Sequence, residues 1–152
     1  MITIKRSPEL EAFAREARRR FQNGDEAWFE QTTARGEVTS FGTAPDEQSR
    51  GRDAVLALTI EQVREMNSDA GLTIADPDDI DEDVIEAYAA GDAGWIVTHG
   101  QFTMEDGSWA PNRVVTIAVR DPDAGWQTVL TASQLLVSND LLQPGSPLLA
   151  RA

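Results

Sequence analysis

The sequence predicts one α+β domain in which helices come first and an antiparallel sheet follows. Apolar residues recur at helical spacing in the first half, whereas the second half alternates as strands do and is broken by short turns of Gly, Asp and Pro. Helices and strands that are segregated along a chain are typical of the α+β class. The chain has 152 residues and no cysteine, so we expect a sizeable core that needs no disulfides.

The first helix is predicted to begin after Ser7 and to stop at Asn23-Gly24. Ser7 suits an N-cap because Pro8 follows at the first helical position, and Asn-Gly favours the turn that ends a helix. One stripe of this helix is apolar: Leu10, Phe13, Ala14, Ala17 and Phe21. The arginines fall mostly off this stripe and are interpreted as a solvated face with local ion pairs, with an anion site as the alternative: Arg15, Arg18, Arg19 and Arg20.

Two further helices and one strand complete the first half. "DEAWFEQTT" (25–33) predicts a short helix that buries Trp28, and "GEVTSFG" (36–42) predicts a strand because it is rich in β-branched and aromatic residues. "TAPDEQS" (43–49) is predicted to be a loop. The segment 51–71 predicts a third helix with Asp53 as a candidate cap and Gly71 as its end.

The second half predicts four strands with short turns between them, which is typical of an antiparallel meander. The segments are "VIEAYAA" (84–90), "WIVTHGQFTM" (95–104), "NRVVTIAVR" (112–120) and "WQTVLTASQLLV" (126–137). Their alternation leaves apolar residues on both faces, and a sheet that is apolar on both sides needs cover on both. The helices cover one face, so we expect a second copy of the chain, and therefore a homodimer, on the other.

Charge and composition exclude several kinds of partner. The formal net charge of −13 repels nucleic acid and anionic membrane surfaces. No apolar run suits a transmembrane helix and no secretory signal is recognised, so the cytoplasm is the expected location. One histidine and scattered carboxylates predict no metal site and no cofactor. We expect one domain over 1–142 and a tail over 143–152, and we interpret the acidic segment 76–83 as a solvated loop, since it lacks the spacing of a calcium loop.

Three stretches resemble the nuclear transport factor 2-like superfamily, which includes SnoaL-like and ketosteroid-isomerase-like proteins. They are "FQNGDEAWFE" (21–30), "SRGRDAV" (49–55) and "VRDPDAGWQTVLTASQ" (119–134), and their order and spacing extend the resemblance over roughly residues 8–140. The resemblance implies a cone: a curved antiparallel sheet wrapped around three N-terminal helices, with a pocket on the concave side and dimers formed through the sheet. Its members have many activities, so function has to come from the pocket residues.

The catalytic groups that the resemblance implies are missing from this chain. The position of the isomerase Tyr falls near Ala17, that of the Asp base near Ser40, and the strand 112–119 contains no acid. The pocket Arg of kinase II association domains falls at Gln101. SnoaL-type cyclases pair a His with an Asp, and His99 is the single histidine here.

Alternation on the second long strand places Trp95, His99 and Gln101 on one face and Ile96 and Phe102 on the other. The first face is more polar, so we predict that it lines the pocket while Ile96 and Phe102 face a dimer partner. The residues predicted to contact a ligand are Trp28, Tyr88, Trp95, His99, Gln101, Thr116 and Gln134. Neutral hydrogen-bonding groups with aromatic walls suit a moderately polar organic ligand.

Three functions follow from this lining. The favoured one is a homodimeric protein that binds a small organic molecule in the cone. The first alternative is a SnoaL-like lyase, isomerase or cyclase in which His99 is the general base. The second is a non-catalytic module that assembles itself or a partner through the sheet.

Overall fold

A computed structural model describes residues 1–44, 46–68, 85–103 and 109–136, with backbone alone at 66, 101–103 and 109–110. The helices are α1 (Pro8–Gln22), α2 (Glu26–Thr32) and α3 (Arg52–Met66). The strands are β1 (Lys5–Arg6), β2 (Thr39–Phe41), β3 (Gln48–Arg50), β4 (Ile85–Ala90), β5 (Ala93–Thr103), β6 (Trp109–Asp121) and β7 (Gly125–Leu135). The acidic segment 76–83 and the tail 143–152 lie outside the described residues.

The helix ends follow from short polar caps. Ser7 accepts a hydrogen bond from the backbone N–H of Leu10 at 3.3 Å, and Asp25 accepts one from Trp28 N–H at 3.2 Å. Both confirm the predicted helix starts. The third helix differs, because its N-cap is Gly51 at φ 86° with no side-chain cap, so the prediction that Asp53 caps it is wrong. Asp53 lies in the first turn, and α3 ends at Met66, before the predicted end at Gly71.

The described strands form one curved, open sheet in the order β1-β4-β5-β6-β7-β2-β3. Strands β4 to β7 form the predicted antiparallel meander. Two short strands add to the prediction: β1 pairs with β4, and β3 lies partly within the segment that was predicted to be a loop and pairs with β2. Strand β2 runs parallel to β7, which makes the sheet mixed.

The helices cover one face of this sheet, which we call the inner face. Leu10 of α1 packs in a buried cluster with Ile85, Ala87, Ile96 and others across the sheet. A second buried cluster lies under α3 and contains Ala34, Val38 and Val55, with Val129 against it. The opposite side, the outer face, carries the residues that alternate with these, and no described helix packs on it.

The close approach of α1 to the sheet depends on Gly94. A Cβ atom at this position would collide with the Leu10 side chain and with the backbone carbonyl of Tyr88. The contact fixes which residues of β5 face the helices, since Gly94 and Ile96 then lie inward. No described helix has the length and apolar character needed to cross a bilayer.

Candidate functional site

The inner face of the sheet carries a patch of hydroxyl groups where neighbouring strands pair. Thr116 of β6 pairs with Thr131 of β7, which in turn pairs with Ser40 of β2. Two residues farther along these strands, Thr98 of β5 and Ser133 of β7 are both paired with Val114 of β6. Directly paired residues share a face, so these side chains point the same way. We call Ser40, Thr98, Thr116, Thr131 and Ser133 the hydroxyl patch.

The hydroxyl patch lies between the two apolar clusters and is not sealed by them. Each of its members is partly buried, whereas Ile96 and Ala118 on the same face are 2% and 0% exposed. One hydrogen bond lies within the patch, from Thr131 Oγ1 to Ser40 Oγ at 3.0 Å. The patch therefore offers donors and acceptors to a molecule held between the sheet and the helices.

Next to the patch, Asn112 has an acceptor with no partner among the described residues. It pairs with Gly100 on the inner face and is 7% exposed, and its Oδ1 atom is buried without a hydrogen bond. A side chain at Gly100 would meet this amide, so the glycine leaves room for it. A buried acceptor without a donor costs free energy, and a ligand that donates to it recovers that free energy.

Arg18 of α1 is the second polar side chain without a partner. Its Nε atom is buried and has no hydrogen-bond partner among the described residues. Burial lowers its pKa from the ordinary value, although an arginine stays charged at neutral pH. The predicted solvated face with ion pairs is not confirmed for Arg18, which is partly buried and has no ion pair with a described residue. Arg19 and Arg20 do form the expected pairs, with Glu16 at 2.8 Å and 2.5 Å.

The described part of the inner face holds no carboxylate and no histidine between Ile85 and Leu135. Ser40 occupies the position that the resemblance gives to the isomerase base, and its hydroxyl is engaged by Thr131. Proton abstraction needs a group whose pKa lies near the operating pH, and hydroxyls of Ser and Thr do not meet this need unaided. This face suits recognition of a polar molecule.

The structure separates the predicted ligand contacts into four places. Thr116 lies in the hydroxyl patch. Four other predicted contacts lie on the outer face, away from the helices, because their partners on the neighbouring strands lie there: Tyr88, Trp95, His99 and Gln134. Gln101 pairs with Pro111 farther along β5, and its side chain lies outside the described residues. Trp28 lies on α2, against Phe13 and Phe29.

The expectation that Ile96 faces a partner's sheet is wrong, since Ile96 lies in the core under α1. The prediction assumed that the face of β5 with Trp95, His99 and Gln101, as the more polar one, lines the pocket. The hydroxyl-bearing face is the one that the helices cover, and the face with Trp95 is the one that lies outside. Tyr88 and Trp95 stack there with their ring centroids 5.7 Å apart. The role of His99 as a general base stays a prediction, and its neighbour across the ladder is Arg113.

Trp28 borders an open groove of about 990 Å³ between the end of α2 and the β6–β7 turn. Two of the charged groups along this groove are engaged in the fold. Arg52 donates to the backbone carbonyls of Glu30 and Thr33 at 2.7 Å and 3.4 Å. Backbone N–H groups of the turn hold the pKa of Asp121 below its ordinary value. The described residues hold no group of His, Asp and Glu that is arranged to bind a metal ion.

Comparisons with known proteins bear on the fold. No family model and no curated protein matches the chain. Among solved structures, an NTF2-like protein of unknown function from Pseudomonas putida KT2440 is similar over 94% of this chain and 98% of its own, with a TM-score of 0.60 and 14% identity.

Two further structures have similar coverage. A ketosteroid isomerase-like protein from Erwinia carotovora atroseptica matches 86% of this chain and 94% of its own, with a TM-score of 0.53 and 15% identity. The CaMKII hub of S. rosetta matches 86% of this chain and 98% of its own, with a TM-score of 0.56 and 17% identity. At such identities a shared fold does not carry a shared activity. With its open curved sheet and its helices on the inner face, the chain has the nuclear transport factor 2-like fold.

Proposed function

We propose that this protein binds a small, moderately polar organic molecule between the inner face of the sheet and the helices. The observation that carries the proposal is the buried Asn112 Oδ1, which has no donor, beside a patch of hydroxyls that is only partly buried. A packed core would exclude such groups or pair them with one another. Their number and neutrality suit a ligand that both donates and accepts hydrogen bonds.

The same residues favour binding over catalysis. The patch supplies hydroxyls and the adjacent Asn112 supplies an amide, and the described inner face of strands β4 to β7 lacks a carboxylate or imidazole that would move a proton. His99 lies on the outer face of β5, so it faces away from a reaction inside the cone. The enzyme alternative, with His99 as base, therefore requires a second site on the outer side.

The outer face supports a second proposal, that the protein is a homodimer. Ile117 and Val119 on β6 are 39% and 37% exposed, and the stacked Tyr88–Trp95 pair lies on the same side. A row of apolar side chains on a sheet face that no described helix covers is typical of a surface that meets another sheet. We propose that a second copy of the chain covers it.

A fragment screen tests the ligand proposal. Ligand-observed NMR with the full chain is expected to identify polar fragments that bind, and Ser133→Phe is expected to abolish that binding because its ring fills the inner face. Ala12→Phe, on the exposed side of α1, is the control. Fragments that bind equally to the wild-type chain and to Ser133→Phe would place the site elsewhere.

Light scattering tests the dimer proposal. We expect the mass of two chains at micromolar concentration, and the mass of one chain for Ile117→Arg, because a charge in an apolar interface is left without a partner. Ala12→Arg, on the exposed side of α1, is expected to remain dimeric. A wild-type chain that elutes with the mass of a monomer would refute this part of the proposal.

A further inference from the structure

We propose that Arg18 receives a carboxylate group of the ligand, so that the ligand class is that of small organic carboxylates. This inference rests on the proposed binding of a small molecule inside the cone and names the group that the molecule must carry. It depends on the placement of Arg18 on α1, on a buried Nε atom without a partner among the described residues, and on the mostly neutral polar groups of the inner face.

The residue spacing along α1 determines the side of the helix on which Arg18 lies. Leu10, Ala14 and Arg18 follow one another at intervals of four residues, so they lie along one side of the helix. Leu10 is fully buried against the sheet and Ala14 packs on the same core. Arg18 lies about 12 Å farther along the axis, beyond the apolar contact. Its Nε atom is buried, as expected for a side chain that leaves this side of the helix toward the sheet.

A buried Nε atom without a partner distinguishes Arg18 from the two arginines that follow it. Arg19 pairs with Glu16, and Arg20 bridges Glu16 and Asp25. The Nε atom of Arg18 is buried with no acceptor among the described residues. A guanidinium presents its donors as a planar fork that fits the two oxygens of a carboxylate. A ligand carboxylate would supply the acceptor that Arg18 does not find among the described residues.

The polar groups of the inner face favour a single negative charge. Among the described inner-face positions of β5, β6 and β7, Arg120 is the one cation, and it is already ion-paired with Glu9 and stacked over Trp126. The other polar groups there are hydroxyls and the Asn112 amide. A dianion such as a phosphate would gain one guanidinium and meet a chain whose formal net charge is −13. A monocarboxylate is neutralised by Arg18 alone, and hydroxyls donate to its oxygens.

The experiment compares carboxylates with their neutral amides. Acetate, benzoate and decanoate, and separately acetamide, benzamide and decanamide, are titrated at millimolar concentration into the ¹⁵N-labelled full chain. The Nε–H signal of Arg18 is assigned through its loss in Arg18→Lys. We expect at least one carboxylate to shift this signal together with the backbone signals of Asn112 and Thr131, and its amide to bind about tenfold more weakly.

Variants distinguish the ion pair from a general site. Arg18→Gln is expected to lower carboxylate affinity about tenfold or more, and Arg18→Lys to retain part of it. Arg19→Gln, one residue away and ion-paired on the surface, is expected to bind as the wild type does.

Each outcome decides one proposal. If amides bind the inner face as well as carboxylates do, or if Arg18→Gln leaves carboxylate affinity unchanged, the role of Arg18 is refuted and the small-molecule site stands. If none of the three carboxylates moves the Arg18 signal, the role of Arg18 is refuted as well. If the amides and the fragment screen also fail to find a binder, the proposed function falls with it.

Discussion

At the scale of single residues, one position along a helix decides what a guanidinium does. Arg18 and Arg19 are neighbours in sequence, yet the first has a buried Nε without a partner and the second is ion-paired at the surface. The sequence contains the signal, because Arg18 stands four and eight residues after Ala14 and Leu10. Grouping the arginines as one solvated cluster hid this spacing.

Replacing Arg18 by a methionine should make the fold more stable. Arg18→Met keeps much of the length and removes a buried donor that has no acceptor, so we expect the free energy of unfolding to rise by about 1 kcal/mol. Urea unfolding followed by circular dichroism measures the change. Arg19→Met, which breaks an exposed ion pair, is expected to change stability by less than about 0.5 kcal/mol. A large loss of stability in Arg18→Met would mean that the guanidinium has a structural partner.

At the scale of elements, the long segments were predictable and the short ones were not. The helix α1 was predicted from its cap and its apolar spacing, α2 from a short segment with two aromatic residues, and β4 to β7 from alternation and turns. The strands β1 and β3 have two and three residues, too few to show a period. They are strands because β4 and β2 provide hydrogen-bond partners, and this pairing is not visible in their own sequence.

The faces of β5 could not be assigned from its sequence for a physical reason. Apolar and polar side chains occur on both faces, so alternation alone does not say which side meets the helices. The contact between Leu10 and Gly94 decides it, and it joins positions that are far apart in the chain. The fold and one member of the candidate site, Thr116, were therefore predictable. Its other members were not, because their predicted face was inverted.

This contact leads to a prediction about helix–sheet packing. Gly94→Ala places a methyl group against the Leu10 side chain and the Tyr88 carbonyl, so α1 must shift away from the sheet. We expect a loss of about 1–3 kcal/mol in the free energy of unfolding, measured by urea titration. Ala93→Ser, at the exposed neighbouring position, should stay within about 0.5 kcal/mol of the wild type. Equal stability of the two variants would show that α1 shifts without a loss in the free energy of unfolding.

The pairing of α2 with α3 should depend on pH. Glu26 accepts two hydrogen bonds from Arg64, at 2.7 Å and 2.8 Å, and this fork holds the pKa of Glu26 below its ordinary value of 4.5. A carboxylate with a lowered pKa stabilises the fold at pH above 4.5, and this contribution is lost as pH falls through the pKa of the folded state.

We therefore expect Glu26→Gln to lose part of the acid-induced destabilisation that the wild type shows below pH 4.5. Thermal unfolding across a series of acidic buffers measures the slope of stability against pH. Glu61→Gln, an exposed glutamate on α3, is the matched control and should follow the wild-type curve. A Glu26→Gln curve parallel to the wild type would show that the ion pair is absent in solution.

At the scale of the whole molecule, the net charge of −13 acts against compactness. Added NaCl screens the repulsion between surface carboxylates, so we expect the Tm to rise with salt at neutral pH. Differential scanning calorimetry over a NaCl series measures the rise. The same series at pH 4.5 is the control, where partly protonated carboxylates should make the rise smaller. A Tm that falls with salt at neutral pH would show that attractive ion pairs dominate.

The parallel pairing of β2 with β7 has a consequence for synthesis of the chain. The hydrogen bond between Thr131 and Ser40 joins residues 91 positions apart. At a translation rate of about 5–20 residues per second, Ser40 is made about 5–20 s before the residue that completes its side of the patch. During this interval β2 has its β3 partner but lacks β7, so the inner face is unfinished. Under the proposed function, a ligand would stabilise the protein only after β7 has been added.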